Sequence, residues 1–223
     1  MTLDFIHTLE AEFAKHADAK VAFEQKQYLR GQFEYYGLKT PIRREVQKPF
    51  LAKEFLPSKN EMKKIVQTCW EKPQREFHYF GQELALKYAK KLEKEDLPFL
   101  EYLITHKSWW DTIDHIATKL VKPYFKKFPE LRNTTIDKWL ASENMWLQRS
   151  SILFMLKDKE QTDLEYLEYV INSLLDSKEF FINKAIGWIL RDYSRIDEDW
   201  VVDFVERTPL EPLSKREALR LLK

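Results

Sequence analysis

Leu164-Glu165-Tyr166-Leu167-Glu168-Tyr169-Val170-Ile171-Asn172-Ser173-Leu174-Leu175 decides the fold class. Its apolar residues at 164, 167, 170, 171, 174 and 175 follow the 3.6-residue period of a helix with one buried face. Phe5, Leu9 and Phe13 repeat it, as do Leu84, Tyr88, Ala89 and Leu92. Prolines at 41, 49, 57, 73, 98, 123, 129, 209 and 212 fall between such segments, where they end or start helices. Thr40-Pro41 reads as a cap with proline at the first helical position. No segment alternates apolar and polar residues between hairpin turns. Four glycines in 223 residues are too few for a chain rich in β-turns. The expectation is an all-α chain of roughly a dozen short helices with short connections.

A longer period lies over this one. Trp110 to Trp146 spans 36 residues, and Trp146 to Phe181 and Arg149 to Lys184 each span 35. One helical pair per repeat is the size of an α-solenoid unit, whose stacked pairs curve and collect one helix each on a concave face. Trp110, Asp114, Trp146, Arg149, Lys184 and Trp188 are then candidates for one groove, with packing between repeats the alternative for Trp146.

Composition removes several classes. No run of 18 apolar residues is present, so no transmembrane helix is expected, and residues 1–20 lack a signal-peptide core. The single cysteine, Cys69, excludes an internal disulfide and suits a reducing cytoplasm. Its apolar surroundings read as a buried structural thiol. Asn133-Thr134-Thr135 matches a glycosylation sequon but reads better as a helix cap. Histidines 7, 16, 78, 106 and 115 lack metal spacing, and neither a phosphate-cradling glycine loop nor a nucleophile elbow is visible, so no metal or cofactor is expected. The net charge of +1 hides an uneven spread: residues 39–64 hold eight basic and three acidic residues, and 158–178 hold two and six. A basic face for nucleic acid is neither required nor excluded.

The densest chemistry is Ser108-Trp109-Trp110-Asp111-Thr112-Ile113-Asp114. Residues four apart share a helix face, so Trp110 sets an aromatic plate beside the Asp114 carboxylate. A ring face attracts a cation, and a carboxylate stabilises developing positive charge. Ser108 and Asp111 have the spacing of a capping box, which makes Asp111 structural. Trp109 and Trp110 cannot point the same way; one packs and the other meets solvent or ligand. Arg149, in Asn144-Met145-Trp146-Leu147-Gln148-Arg149-Ser150, is either a salt bridge between repeats or a fork for phosphate. Trp188 follows Gly187, whose lack of a side chain suggests close approach of a neighbour or ligand. Tyr28 offers a polar aromatic, and Thr40, Arg43 and Arg44 form a basic helix start suited to phosphate.

Taken together, these runs resemble the AlkD-like DNA alkylation repair enzymes, DNA glycosylases built of HEAT-like repeats. The resemblance extends through Tyr28-Leu29-Arg30-Gly31-Gln32-Phe33, Gly37-Leu38-Lys39-Thr40-Pro41, Arg75-Glu76-Phe77-His78-Tyr79-Phe80, the Phe180 to Tyr193 run and Leu213-Ser214-Lys215-Arg216-Glu217-Ala218. It covers almost the whole chain, as one domain over 1–223. In the family, the positions matching Trp110, Asp114, Arg149 and Trp188 form the lesion site, and that matching Tyr28 lies close by. All five carry the family's residue type here.

The resemblance implies an α-solenoid curved into a right-handed superhelix with a concave DNA-binding groove. It implies excision of cationic N3- or N7-alkylated purines from duplex DNA without flipping the base, and an open groove for DNA favours a monomer. The protein is expected in the cytoplasm, on the nucleoid when bound. Alkylation already weakens the glycosidic bond, so no general acid is required. A carboxylate about 4 Å from an oxocarbenium-like sugar is worth on the order of 4 kcal/mol at an effective dielectric near 20. Asp114 would supply it and position the water, Trp110 and Trp188 would face the lesion nucleotide, and Arg149 would hold a phosphate. Tyr28, Thr40, Arg43, Arg44, Lys184 and Arg191 are the expected DNA contacts. The alternatives are a non-catalytic binder of distorted or branched DNA on the same scaffold, and a protein-scaffolding solenoid.

Overall fold

A computed structural model describes residues 2–222, with side chains from Asp4 onward. It divides into two compact units, Met1–Glu93 and Lys94–Lys223. Among the described residues the regular structure is helical, with one isolated β-bridge between Glu34 and Gln74.

The first unit holds α1 (Thr2–Lys15), α2 (Ala19–Tyr28), α3 (Thr40–Gln47), α4 (Lys59–Glu71) and α5 (Arg75–Leu86). Leu9 and Phe13 of α1 bury their stripe, with Phe13 edge-on to Phe77 at 5.4 Å. α4 packs on α5 and α1. Its start is a capping box: Ser58 accepts the Glu61 N–H, and the Glu61 carboxylate accepts the Ser58 N–H. Helix α3 begins at Thr40 with Lys39 in the cap position and no side-chain cap, so Pro41 falls one place later than its spacing suggests. Cys69 is fully buried, and burial pushes its thiol up out of the reactive range.

Helix α5 stops at Leu86, earlier than its apolar pattern, because the Lys87 N–H turns back to the Leu84 carbonyl. Tyr88, Ala89 and Leu92 stay buried through a 3-10 turn. Buried Glu76 organises the segment before α3. Its carboxylate accepts the backbone N–H groups of Tyr36 (3.2 Å), Gly37 (2.9 Å) and Leu38 (3.2 Å).

The second unit is a run of helical pairs: α6 (Leu97–Thr105), α7 (Trp110–Ile116), α8 (Lys122–Lys127), α9 (Pro129–Leu140), α10 (Met145–Leu153), α11 (Leu164–Asn172), α12 (Phe180–Tyr193), α13 (Glu198–Arg207) and α14 (Pro212–Ala218). A π-helical turn, Ala117–Val121, joins α7 to α8. Pro123 supplies the reason: it lacks an N–H and crowds the preceding turn, so the Lys122 N–H reaches five residues back to Ala117. Here proline sits within one helical stretch instead of between two.

Helices α7, α10, α12 and α14 pack in succession, one from each pair. Side chains such as Ile113, Ile152, Ile186, Leu190 and Ala218 are buried between them. Each large one contributes about 1.5–3 kcal/mol. Asn133, Thr134 and Thr135 lie inside α9, so they cap nothing. Leu174 and Leu175 fall in the turn after α11, with Leu174 buried there.

Gly37 generates a prediction about the first unit. Its φ is +95°, and a Cβ there would stand 2.0 Å from the Asp18 carbonyl oxygen. Gly37→Ala should cost about 2–4 kcal/mol, combining backbone strain with overpacking. A urea unfolding midpoint equal to wild type would refute this account.

Candidate active site

The N-terminal ends of α7, α10 and α12 are brought together by three rings. Trp109 immediately precedes α7, Trp146 is the second residue of α10, and Phe181 is the second of α12. Trp109 meets Trp146 at 5.8 Å and Phe181 at 5.3 Å, and Trp146 meets Phe181 at 5.1 Å. Trp146 therefore packs between repeats, in a triangle closed by Trp109 and not by the Trp110 of the aromatic period. Trp109 takes the packing role of the tryptophan pair. Its indole Nε1 is buried without a hydrogen-bond partner among the described residues.

Helix α10 starts there because the Asn144 side chain accepts the Trp146 and Leu147 N–H groups, at 2.9 and 3.2 Å. The expected capping box on α7 does not form. Ser108 donates its hydroxyl to the Ile104 carbonyl at 2.6 Å, and Trp109 occupies the cap position without a side-chain cap bond. Asp111 remains in the first turn of α7, where the helix dipole favours an acid.

Beside the triangle lies the central polar contact. Arg149 donates Nε–H to Asp114 Oδ1 at 2.8 Å and Nη2–H to Asp114 Oδ2 at 3.0 Å. Its Nη1 donates to the Phe181 carbonyl. The guanidinium thus ties α7 to α10 and reaches the first turn of α12. Arg149 is 4% exposed, whereas the Asp114 side chain is 19% exposed. Of the two expected uses of Arg149, the geometry displays the salt bridge; a phosphate contact would use the Nη hydrogens left over.

Burial raises the Asp114 carboxyl above the ordinary aspartate value, Arg149 opposes that shift by charge and hydrogen bonding, and Asp111 adds to it. Trp110, one turn before Asp114, is half-buried. The arrangement presents a fixed carboxylate edge with an indole on the same helix face.

Phe181, Lys184, Trp188 and Arg191 follow the spacing of one α12 face. Trp188 is half-buried. Lys184 and Arg191 both reach Glu217 of α14, at 2.9 and 2.6 Å. Gly187 allows this: a Cβ there would lie 2.5 Å from the Glu217 Cβ and 2.9 Å from the Ser214 carbonyl oxygen. The neighbour whose close approach Gly187 permits is α14.

The first unit carries the other expected DNA contacts. Tyr28 ends α2 and is 71% exposed, and Thr40 is exposed at the start of α3. Arg44 is exposed, 3.5 Å from Glu83. Arg43 differs from the exposed basic helix start that its position suggests. It is buried, pairs with Glu83 at 2.9 Å, donates to Gln47 at 2.8 Å and lies over the Tyr79 ring. It shares the buried face of α3 with Gln47, four residues on. Sequence reasoning missed Glu217; its signal was the basic Leu213–Ala218 run with one acid in it.

The comparisons with known proteins agree with this fold. The chain belongs to the family described as DNA alkylation repair enzyme, whose profile matches residues 9–222. A solved structure from Enterococcus faecalis, described as a predicted DNA alkylation repair enzyme, is similar at 28% identity and a TM-score of 0.85, covering 92% of this chain and 96% of that one. AlkD2 from Streptococcus mutans shares the fold at 19% identity and a TM-score of 0.62, covering 88% and 96%. The smu.31 protein of Streptococcus mutans UA159 does so at 16% and 0.60, covering 95% and 100%. No curated protein matches. Family membership assigns a role in DNA alkylation repair and, with it, binding to DNA. No helix of the described residues is long and apolar enough to cross a membrane.

The pair generates a prediction on ionisation. In a carboxyl-detected NMR titration, Asp114 should titrate above the ordinary aspartate value of 3.8. Arg149→Gln should move it higher, and Asp111→Asn should move it lower. The arginine substitution should also cost about 3 kcal/mol of stability, because it leaves a largely buried acid unpaired. An Asp114 titration unmoved by Arg149→Gln would contradict the electrostatic account.

Proposed function

We propose that this protein is a monofunctional DNA N-glycosylase that releases N3- and N7-alkylated purines from duplex DNA. One observation carries the reading: the Asp114 carboxylate is held by two hydrogen bonds on a side chain that stays 19% exposed, with Trp110 on the same face of α7. Such a group suits a reaction in which positive charge develops on a sugar and no strong acid is needed.

Alkylation at N3 or N7 makes the purine a cation and a good leaving group. The glycosidic bond breaks with its electron pair moving to the base, and the sugar becomes oxocarbenium-like. Asp114 stabilises that charge and orients water toward C1′. The water adds its oxygen to the sugar, and its proton leaves to solvent. Trp110 and Trp188 present ring faces to the cationic nucleotide.

The ion pair moderates the electrostatic gain. A carboxylate about 4 Å from the sugar contributes on the order of 4 kcal/mol at an effective dielectric near 20. A guanidinium about 8 Å away on the far side takes back roughly 2 kcal/mol. About 2 kcal/mol remains, roughly thirtyfold in rate, to which water positioning adds. In return Arg149 opposes the upward shift of the Asp114 carboxyl and fixes its two oxygens. It acts as a positioning residue, and the lesion's own charge and lability supply the selectivity. A base that stays stacked needs no deep pocket, so a surface that grips the backbone is enough.

The experiment is release of 7-methylguanine from methylated duplex DNA under single-turnover conditions. Wild type should release the free base without nicking the strand. Asp114→Asn should lower the rate by roughly a hundredfold or more while leaving duplex affinity within about twofold. Wild-type-like release by that variant would sink the mechanism. Binding without release by the wild-type protein would favour a non-catalytic reader of distorted DNA. On the pH axis, the acid limb of the rate should lie above the ordinary aspartate value, since the ionised form is the active one. Activity should be lost as pH falls through the raised Asp114 value.

A further inference from the structure

Glu217 is a charged residue that the proposed reaction does not use, yet the fold makes special provision for it. Its side chain is 10% exposed. Gly187, bare of a side chain, lets the α14 backbone approach α12 at that level. Ser214, one turn earlier, donates its hydroxyl toward Asn183 of α12 at 3.0 Å and pins the crossing. Oε1 of Glu217 faces Lys184 Nζ at 2.9 Å and Oε2 faces Arg191 Nη1 at 2.6 Å, with the exposed Arg220 Nη1 a more distant third cation at 3.9 Å from Oε2. The two cations stand four residues before and three residues after Trp188 on one helical face. Among the described residues, Glu217 is the one partner of each, so both keep N–H groups for another acceptor.

We propose that Glu217 is a positioning residue that holds Lys184 and Arg191 as a two-cation clamp for DNA phosphate on either side of Trp188. The proposal rests on the reading in which the Trp188 face of α12 meets DNA. Two long basic side chains free in solvent would lose rotamer freedom on binding. A shared carboxylate meets that loss during folding and aims both heads. It also removes one unit of charge, so the trio carries a net +1. The clamp therefore grips less strongly than two free cations, but in one place.

An ordinary structural bridge between α12 and α14 would stabilise the fold without affecting how DNA binding responds to salt. That difference is measurable with the full chain. Affinity for an unmodified duplex is followed by fluorescence anisotropy against salt, beside single-turnover release of 7-methylguanine. Lys184→Gln and Arg191→Gln should each flatten the slope of log affinity against log salt by about one. Glu217→Gln should do the reverse, steepening it by about one and tightening the unmodified duplex a few-fold, while base release slows about tenfold. Unchanged slopes in both cation variants would overturn the clamp. A wild-type slope in Glu217→Gln would overturn the role of Glu217.

Should Glu217→Gln fail to fold, Glu217→Asp decides, since it keeps the charge but draws it back by one methylene. Slower release at a wild-type slope supports positioning, and a wild-type rate overturns it. The binding arms need no base release. A protein that released no methylated base would sink the glycosylase reading and leave the clamp to stand or fall on its slopes.

Discussion

The candidate site in the second unit depends on one ion pair. Asp114 and Arg149 meet through two hydrogen bonds, with the arginine buried and the aspartate side chain partly exposed. Neither group is stable there alone. An unpaired arginine at that depth would keep its charge at high cost, and an unpaired aspartate would take up a proton. Together they join α7 to α10, and the Phe181 carbonyl extends the tie to α12. The same contact that holds three helices in register also fixes the direction and ionisation of a carboxylate. That coupling is what the proposed chemistry would use on a helical stack.

The aromatic triangle and the α12–α14 crossing serve the pair from two sides. Trp109, Trp146 and Phe181 hold three helix starts at one level, so Phe181 offers its carbonyl where Arg149 can reach it. Further along α12, Gly187 admits Glu217, which takes up Lys184 and Arg191. Acid and base alternate across the stack, from Asp114 to Arg149 and from Lys184 to Glu217. A near-neutral chain therefore carries several cations whose charge is already directed by a partner.

Much of this was legible in the residues. Helical periodicity was local, and the burial of Leu9, Phe13, Leu167 and Val170 follows from their spacing. The repeat near 35 residues foretold that helices one pair apart would lie side by side, although Trp109 and not Trp110 meets Trp146 and Phe181. Elsewhere local patterns misled. Ser108 and Asp111 had the spacing of a capping box, but the serine hydroxyl donates to the Ile104 carbonyl instead. Arg43 looked like part of an exposed basic start, yet the carboxylate of Glu83, 40 residues on, drew it inward. Pro123 looked like a boundary, and a π-helical turn absorbed it.

What the sequence determined by itself was periodicity and inventory: an all-helical chain, a repeat near 35 residues, and a tryptophan one turn before an aspartate on one face. Those properties depend on neighbours within a few residues, where helix geometry leaves little choice. Tertiary structure decided the partners. Arg149 could have faced phosphate or carboxylate, and Glu217 gave no sign of joining two basic residues some thirty positions earlier. Ion pairing across helices is set by which faces meet and how deeply they are buried. A charged side chain several atoms long takes the partner that packing puts within reach.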